Sequence, residues 1–190
     1  MAVREKLREA AHVFDGRVHV VRPAGRKAIA GRIERLTFLD PLAGPLQQAV
    51  RWAIPQDTVA KDVFSGTWLG HPVHPPLTDV VVGSWTSASL LDAIGERGKA
   101  ASEFLLGVGI VAALPTAAAG ASDWAELRGG TRRVGLVHAL GNTTALTLQI
   151  MSLRARRRGE RGKGIGLSTA AMAVASGSVI SIPPYSRIAG

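Results

Sequence analysis

Five histidines and no cysteine set the chemistry open to this chain. Without thiols there are no disulfides, no cysteine-ligated zinc and no cysteine-held iron–sulfur cluster, so any metal must be held by His, Asp, Glu or neutral oxygen. Two histidines stand in the run Trp68-Leu69-Gly70-His71-Pro72-Val73-His74-Pro75-Pro76-Leu77-Thr78-Asp79, where a basic, polar segment gives way to apolar ones. Pro72, Pro75 and Pro76 lack amide donors and bias the residues before them towards extended backbone. His71 and His74 are therefore expected on a stiff, non-helical strap, with a helix beginning at about Leu77.

Four apolar segments follow the strap, over 77–94, 104–121, 134–153 and 165–182. Their lengths approach what a bilayer core requires. The last three contain no Asp, Glu, Lys or Arg, and their apolar residues surround the helix rather than forming one stripe, which favours spanning. The fold class expected is all-α: a four-transmembrane-helix bundle over 67–190, multi-pass in the cell membrane, with a basic N-terminal extension over 1–66. The alternative is a soluble bundle of buried helices. Gly83, Ser87, Gly107, Gly109, Ala171, Ala175, Ala173 and Gly177 would let helix backbones approach closely, and Pro115 should kink the second helix.

In the extension, 1–14 reads as a short charged helix and 16–23 as extended chain. Ile29, Ile33 and Leu36 recur at helical spacing, as do Leu42, Leu46, Ala49, Val50 and Ala53, giving amphipathic helices split by Pro41 and ended by Pro55. They could lie on a membrane surface or pack on the other helices. His12 and His19 read as solvated surface residues. The first residues offer no apolar core for a secretory signal, so insertion is expected to be driven by internal segments, with a cytoplasmic tail.

The net charge of +9 would suit nucleic acid or anionic lipid. Residues 1–70 hold 11 of the 23 cations, and Arg154, Arg156, Arg157, Arg158, Arg161 and Lys163 cluster between two apolar runs. That placement resembles a juxtamembrane collar, which makes the lipid bilayer the expected partner and argues against nucleic acid. Total Lys and Arg favours the strap side, whereas counting only those near helix ends reverses the balance, so charge leaves orientation open.

Four crossings would return Asp123, Trp124 and His138 to the face where His71, His74 and Asp79 begin. Asn142, four residues after His138, shares its helix face and could orient it. Ionisable groups inside a span are costly, which makes Asp79 and His138 candidates for function. Neutral imidazoles could hold haem iron axially, and with Asp they could hold zinc or copper. Equally, His71 and His74 could sit at headgroup level, Asp79 could cap its helix and His138 could satisfy a neighbouring helix. Trp68, Trp124 and Tyr185 fit an aromatic belt, and Asp92 reads as a helix-end residue facing water or Arg97. The Gly-rich stretch 159–166 lacks a preceding strand, and no serine has a base at recognisable spacing, so no catalytic motif is found.

From Thr67 to Lys163 the chain resembles a bacterial predicted-membrane family, the domain of unknown function 2231. The residues that carry the resemblance are Trp68-Leu69-Gly70-His71-Pro72-Val73-His74-Pro75, Asp79, Gly83-Ser84-Trp85-Thr86-Ser87-Ala88 and Leu90-Leu91-Asp92, then Ala117-Ala118-Ala119-Gly120-Ala121-Ser122-Asp123-Trp124, Arg132-Arg133-Val134-Gly135-Leu136-Val137-His138 and Asn142. Leu39-Asp40-Pro41-Leu42 looks like the family's leader. The resemblance implies a four-helix membrane domain, often fused to a Rieske-type iron–sulfur domain, and thus a redox association. The chain departs from the pattern where family members carry Gly-Gly-His after the fourth helix: Ser181-Ile182-Pro183-Pro184-Tyr185 stands there instead.

Two functions of different class follow as expectations. In one, His71, His74 and His138 bind haem b or a divalent metal, with Asp79, Asp123 and Asn142 beside them, for electron transfer or sensing with a separate redox partner such as a Rieske-type protein. In the other, the chain is a cofactor-free membrane anchor or scaffold, its basic tail docking a partner or anionic lipid. A homo-oligomer is compatible with both. A small transporter would need a polar path, for which Thr143, Thr144, Thr147 and Gln149 are sparse support.

Overall fold

The computed structural model describes residues 24–55 and 58–180. The expected segments 1–14 and 16–23, with His12 and His19, lie outside these residues, as does Tyr185. Among the described residues the secondary structure is helical, with no strand. Three short helices come first: α1 (Ala24–Glu34), α2 (Asp40–Ala53) and α3 (Val59–Ser65). Four long ones follow: α4 (His74–Ala93), α5 (Lys99–Trp124), α6 (Gly129–Arg157) and α7 (Arg161–Ile180). The all-α expectation is met. α4 packs along α5 and α6 along α7 as antiparallel hairpins, and α5 against α6 joins the two pairs.

The strap is shorter than the prolines suggest. α4 begins at His74, with Pro75 and Pro76 in its first turn, where the missing amide hydrogens have no intrahelical acceptor to lose. The sharp geometry lies upstream, in a 3-10 turn over Thr67–Leu69 between Gly66 and Gly70, both left-handed with φ of 79° and 75°. A Cβ on Gly66 would strike the His71 carbonyl, so glycine there serves both conformation and space. α5 runs unbroken through Pro115 over 26 residues, and α6 over 29. Both exceed the expected spans because their polar end residues continue the helix instead of capping it.

The bundle interior mixes polar side chains with apolar clusters around Val81, Trp85 and Leu106 and around Trp124 and Leu136. Ser84, Ser102, Ser122, Gln149, Ser152, Arg156, Ser168 and Ser178 are buried, together with alanines and few large side chains. Val80, Val82, Leu90, Phe104, Val111, Leu114, Leu140 and Met151 face outward, Phe104 at 70% exposure. Small residues at the contacts permit this closeness: a Cβ on Gly109 would collide with the Trp85 ring, and one on Gly141 would meet the Ser178 Cβ at 2.7 Å. Among the described residues one helical stretch is apolar enough, by length and composition, to cross a membrane: Gly95–Trp124, with 28% of its most apolar window buried. The other long helices are less apolar, α6 for example carrying buried Gln149 and Ser152 together with exposed Thr143, Thr144 and Thr147.

The amphipathic helices of the extension pack on the bundle, α1 on α6 and α3 on α5. Their apolar stripes are buried only in part: Val50 of α2 packs against Trp124 and Leu136. In α2 the buried residues are Ala43 and Gln47, while Leu42 and Leu46 are exposed. α3 starts on Thr58, whose side chain accepts from the Lys61 amide at 3.3 Å, and stops at the left-handed Gly66.

Candidate functional site

The C-terminal end of α5 is where the chain concentrates polar side chains from distant segments. A helix ending there leaves carbonyls without intrahelical donors and a partial negative charge. The N-terminal helices supply what is missing. Lys61 Nζ donates to the Ser122 carbonyl at 2.9 Å and to Ser122 Oγ at 3.1 Å, and pairs with Glu126 at 2.6 Å. Gln47 Nε2 donates to the Trp124 and Leu127 carbonyls, both at 2.9 Å, and Arg51 Nη2 to the Ala125 carbonyl at 2.6 Å. Asp40 accepts from Arg132 at 2.8 Å and from Arg133 at 2.9 and 2.6 Å, and Arg133 also reaches the Glu34 carbonyl. The Arg133 and Arg132 hydrogen bonds hold the Asp40 carboxyl well below the usual carboxylate range.

His74 sits beside this clamp, as the first residue of α4. Its Nδ1 lies 3.0 Å from the Thr116 carbonyl, which can only accept, so Nδ1 carries the hydrogen of this bond. Gly120 makes the approach possible: a Cβ there would meet the imidazole at 2.8 Å. Asp123, half-buried, is within electrostatic range of His74 and Lys61.

His138 is also within electrostatic range of His74. Its Nδ1 faces the Ser178 carbonyl at 3.3 Å and its Nε2 receives Asn142 Nδ2 at 2.8 Å. Ser178 Oγ in turn donates to Asn142 Oδ1 at 3.2 Å. Asn142 thus orients His138, and both ring nitrogens are engaged. His71 is exposed, with Nδ1 at 3.0 Å from the carbonyl of its neighbour Pro72, and Asp79 is exposed on α4.

Connectivity therefore brings His74, Asp123, His138 and Asn142 to one end of the bundle but does not turn them onto a common point. Among the described residues no group of three or more His, Asp or Glu could hold a metal ion. The expected metal triad of His71, His74 and His138 is not assembled as such a group. His138 spends its coordinating nitrogen on Asn142, and His71 faces solvent. Axial ligation of haem by His138 would require it to give up its contact with Asn142.

Three further expectations change. Trp124 is not a belt residue: it is buried and donates Nε1 to the Arg132 carbonyl at 2.9 Å. Trp68, at 66% exposure, keeps an outward position. Asp92 faces neither water nor Arg97. At the opposite end of the bundle it takes both nitrogens of Arg156, at 2.7 and 2.6 Å, and Ser102 Oγ at 2.8 Å. Arg156 is 2% exposed, so the expected collar loses one of its cations to the interior. Ser152 and Ser168 complete the network, Ser168 Oγ donating to Gln149 Oε1 at 2.9 Å.

Fold and polar interior together define a helical bundle whose chemistry is turned inward. The family model described as Predicted membrane protein (DUF2231) matches residues 70–182, more than half of the chain. The chain belongs to that family of membrane proteins. No curated protein and no solved structure matches it.

Proposed function

We propose that the chain is a multi-pass membrane anchor, its four long helices crossing the bilayer and its short helices forming a docking platform at one face, with no cofactor in the core. The observation that carries the platform is the clamp of Asp40, Gln47, Arg51 and Lys61 onto the α5–α6 end. It fixes α2 and α3 to the bundle while leaving Phe38, Leu42, Trp52 and Val59 outward, Trp52 at 86% exposure. Large apolar residues held outward on a rigid support are what a partner interface uses. The outward placement of Leu90, Phe104, Val111, Leu114, Leu140 and Met151 around buried serines, Gln149 and an ion pair supports the four crossings.

The histidines support internal bonding rather than ligation. His74 holds α4 to α5, and His138 with Asn142 and Ser178 holds α6 to α7. The test is a photo-crosslinking residue at Trp52 in intact membranes. A discrete protein adduct is expected, and Lys61→Met with Gln47→Ala should reduce it by loosening the platform. Adducts to lipid alone would contradict docking. A Soret band or one equivalent of metal in the detergent-purified protein would return the redox function instead.

A further inference from the structure

An open groove of about 620 Å³ runs along the outer side of α5. Phe104, Gly107, Val111 and Pro115 line it, with Glu103 and Arg157 at one end. From Glu103 to Pro115 the helix rises about 18 Å, close to the ~15 Å of one leaflet's hydrocarbon. The charged end coincides with the bundle end where Arg154 and Arg158 also lie, the level at which cations meet lipid headgroups. Glu103 Oε1 is buried there without a hydrogen-bond partner among the described residues, and among those residues no ion pair engages Arg157.

We propose that this groove holds one acyl chain of a phospholipid with a primary ammonium headgroup, such as phosphatidylethanolamine, the phosphate on Arg157 and the ammonium on Glu103. A carboxylate beside a guanidinium is complementary to a zwitterion and opposes a purely anionic headgroup. An ammonium with N–H donors can satisfy a buried carboxylate oxygen, whereas a trimethylated one cannot. The inference rests on the four-crossing arrangement proposed above, because the groove must face the bilayer.

The test is native mass spectrometry of the detergent-solubilised full chain, titrated separately with phosphatidylethanolamine, phosphatidylglycerol and phosphatidylcholine. Phosphatidylethanolamine should be retained about tenfold better than the other two, the scale of one charge-assisted hydrogen bond. Glu103→Gln should erase the preference, and Arg157→Gln should weaken all three lipids. Gly107→Leu should lower retention generally without unfolding the protein, since nothing lies within 4 Å of a Cβ there. Equal retention of the three headgroups by the wild type, or retention untouched by Gly107→Leu, would overturn the proposal. A chain that stays in solution without detergent would overturn the membrane arrangement itself, so the two failures are told apart.

Discussion

Asp92 and Arg156, 64 positions apart, form a two-pronged ion pair in which the carboxylate side chain is 6% exposed and the guanidinium 1%. One lies at the end of α4 and the other at the end of α6, so the pair ties the two helical hairpins together. Removing Asp92 leaves the buried Arg156 without a carboxylate, which costs far more than the pair contributes, whereas removing Arg156 leaves Asp92 with the longer Arg161 contact at 3.3 Å. Asp92→Asn should destabilise the protein by about 3–5 kcal/mol, Arg156→Gln by less because Arg161 stays beside Asp92, and Asp92→Leu with Arg156→Met should recover much of the loss. Thermal melting in detergent measures all of them. Single variants that melt like the wild type would show that the pair is solvated.

Gly120 and His74 make a second, independent test of helix closeness. Gly120→Ala places a Cβ 2.8 Å from the imidazole, which should break the bond to Thr116 and cost about 1–3 kcal/mol. In His74→Ala the same change should cost much less, because the ring it displaces is gone. The nitrogen chemical shifts of His74 should report loss of the Nδ1–H form. Additive effects in the double variant would contradict the contact.

His138 is a structural hydrogen-bonding residue in this account, not a ligand. His138→Ala should lower stability by about 1–3 kcal/mol, the cost of leaving buried partners unpaired, with no change in absorption spectrum or metal content. A change in either after reconstitution with haem or divalent metal would restore the redox function.

The clamp at Asp40 carries a pH dependence with a definite sign. Its carboxyl titrates below the ordinary range because Arg133 and Arg132 donate to it. A depressed folded value contributes stability that is present above the unfolded value, near 4, and lost as pH falls through the lower folded one. Platform docking should thus persist at pH 5 and fail on strong acidification. Asp40→Asn should instead raise protease cleavage at Arg51 and Lys61 roughly severalfold at pH 7, since opening governs cutting. Equal cleavage rates would contradict the clamp.

The long helices were legible in their uniform apolar runs, and parity of crossing placed His74, Asp123 and His138 at a common end. Direction within that end was not legible. A single turn of helix decides whether His138 faces a metal or Asn142, and one glycine, Gly120, decides whether His74 reaches Thr116. The strap misled because three prolines read as extended chain, although two of them fit the first turn of a helix. Arg156 lay hidden in a run of arginines whose sum looked like a surface charge. The caps made by Gln47, Arg51 and Lys61 left no local signal, because their acceptors are main-chain carbonyls more than 60 residues away.

The four crossings can be mapped directly, because the chain has no cysteine of its own. Single cysteines at Val59, Glu96, Arg128 and Arg158, probed in sealed membranes with an impermeant maleimide, report which side each occupies. Val59 and Arg128 should label from one side, and Glu96 and Arg158 only from the other. All four labelling from the same side would contradict the four crossings.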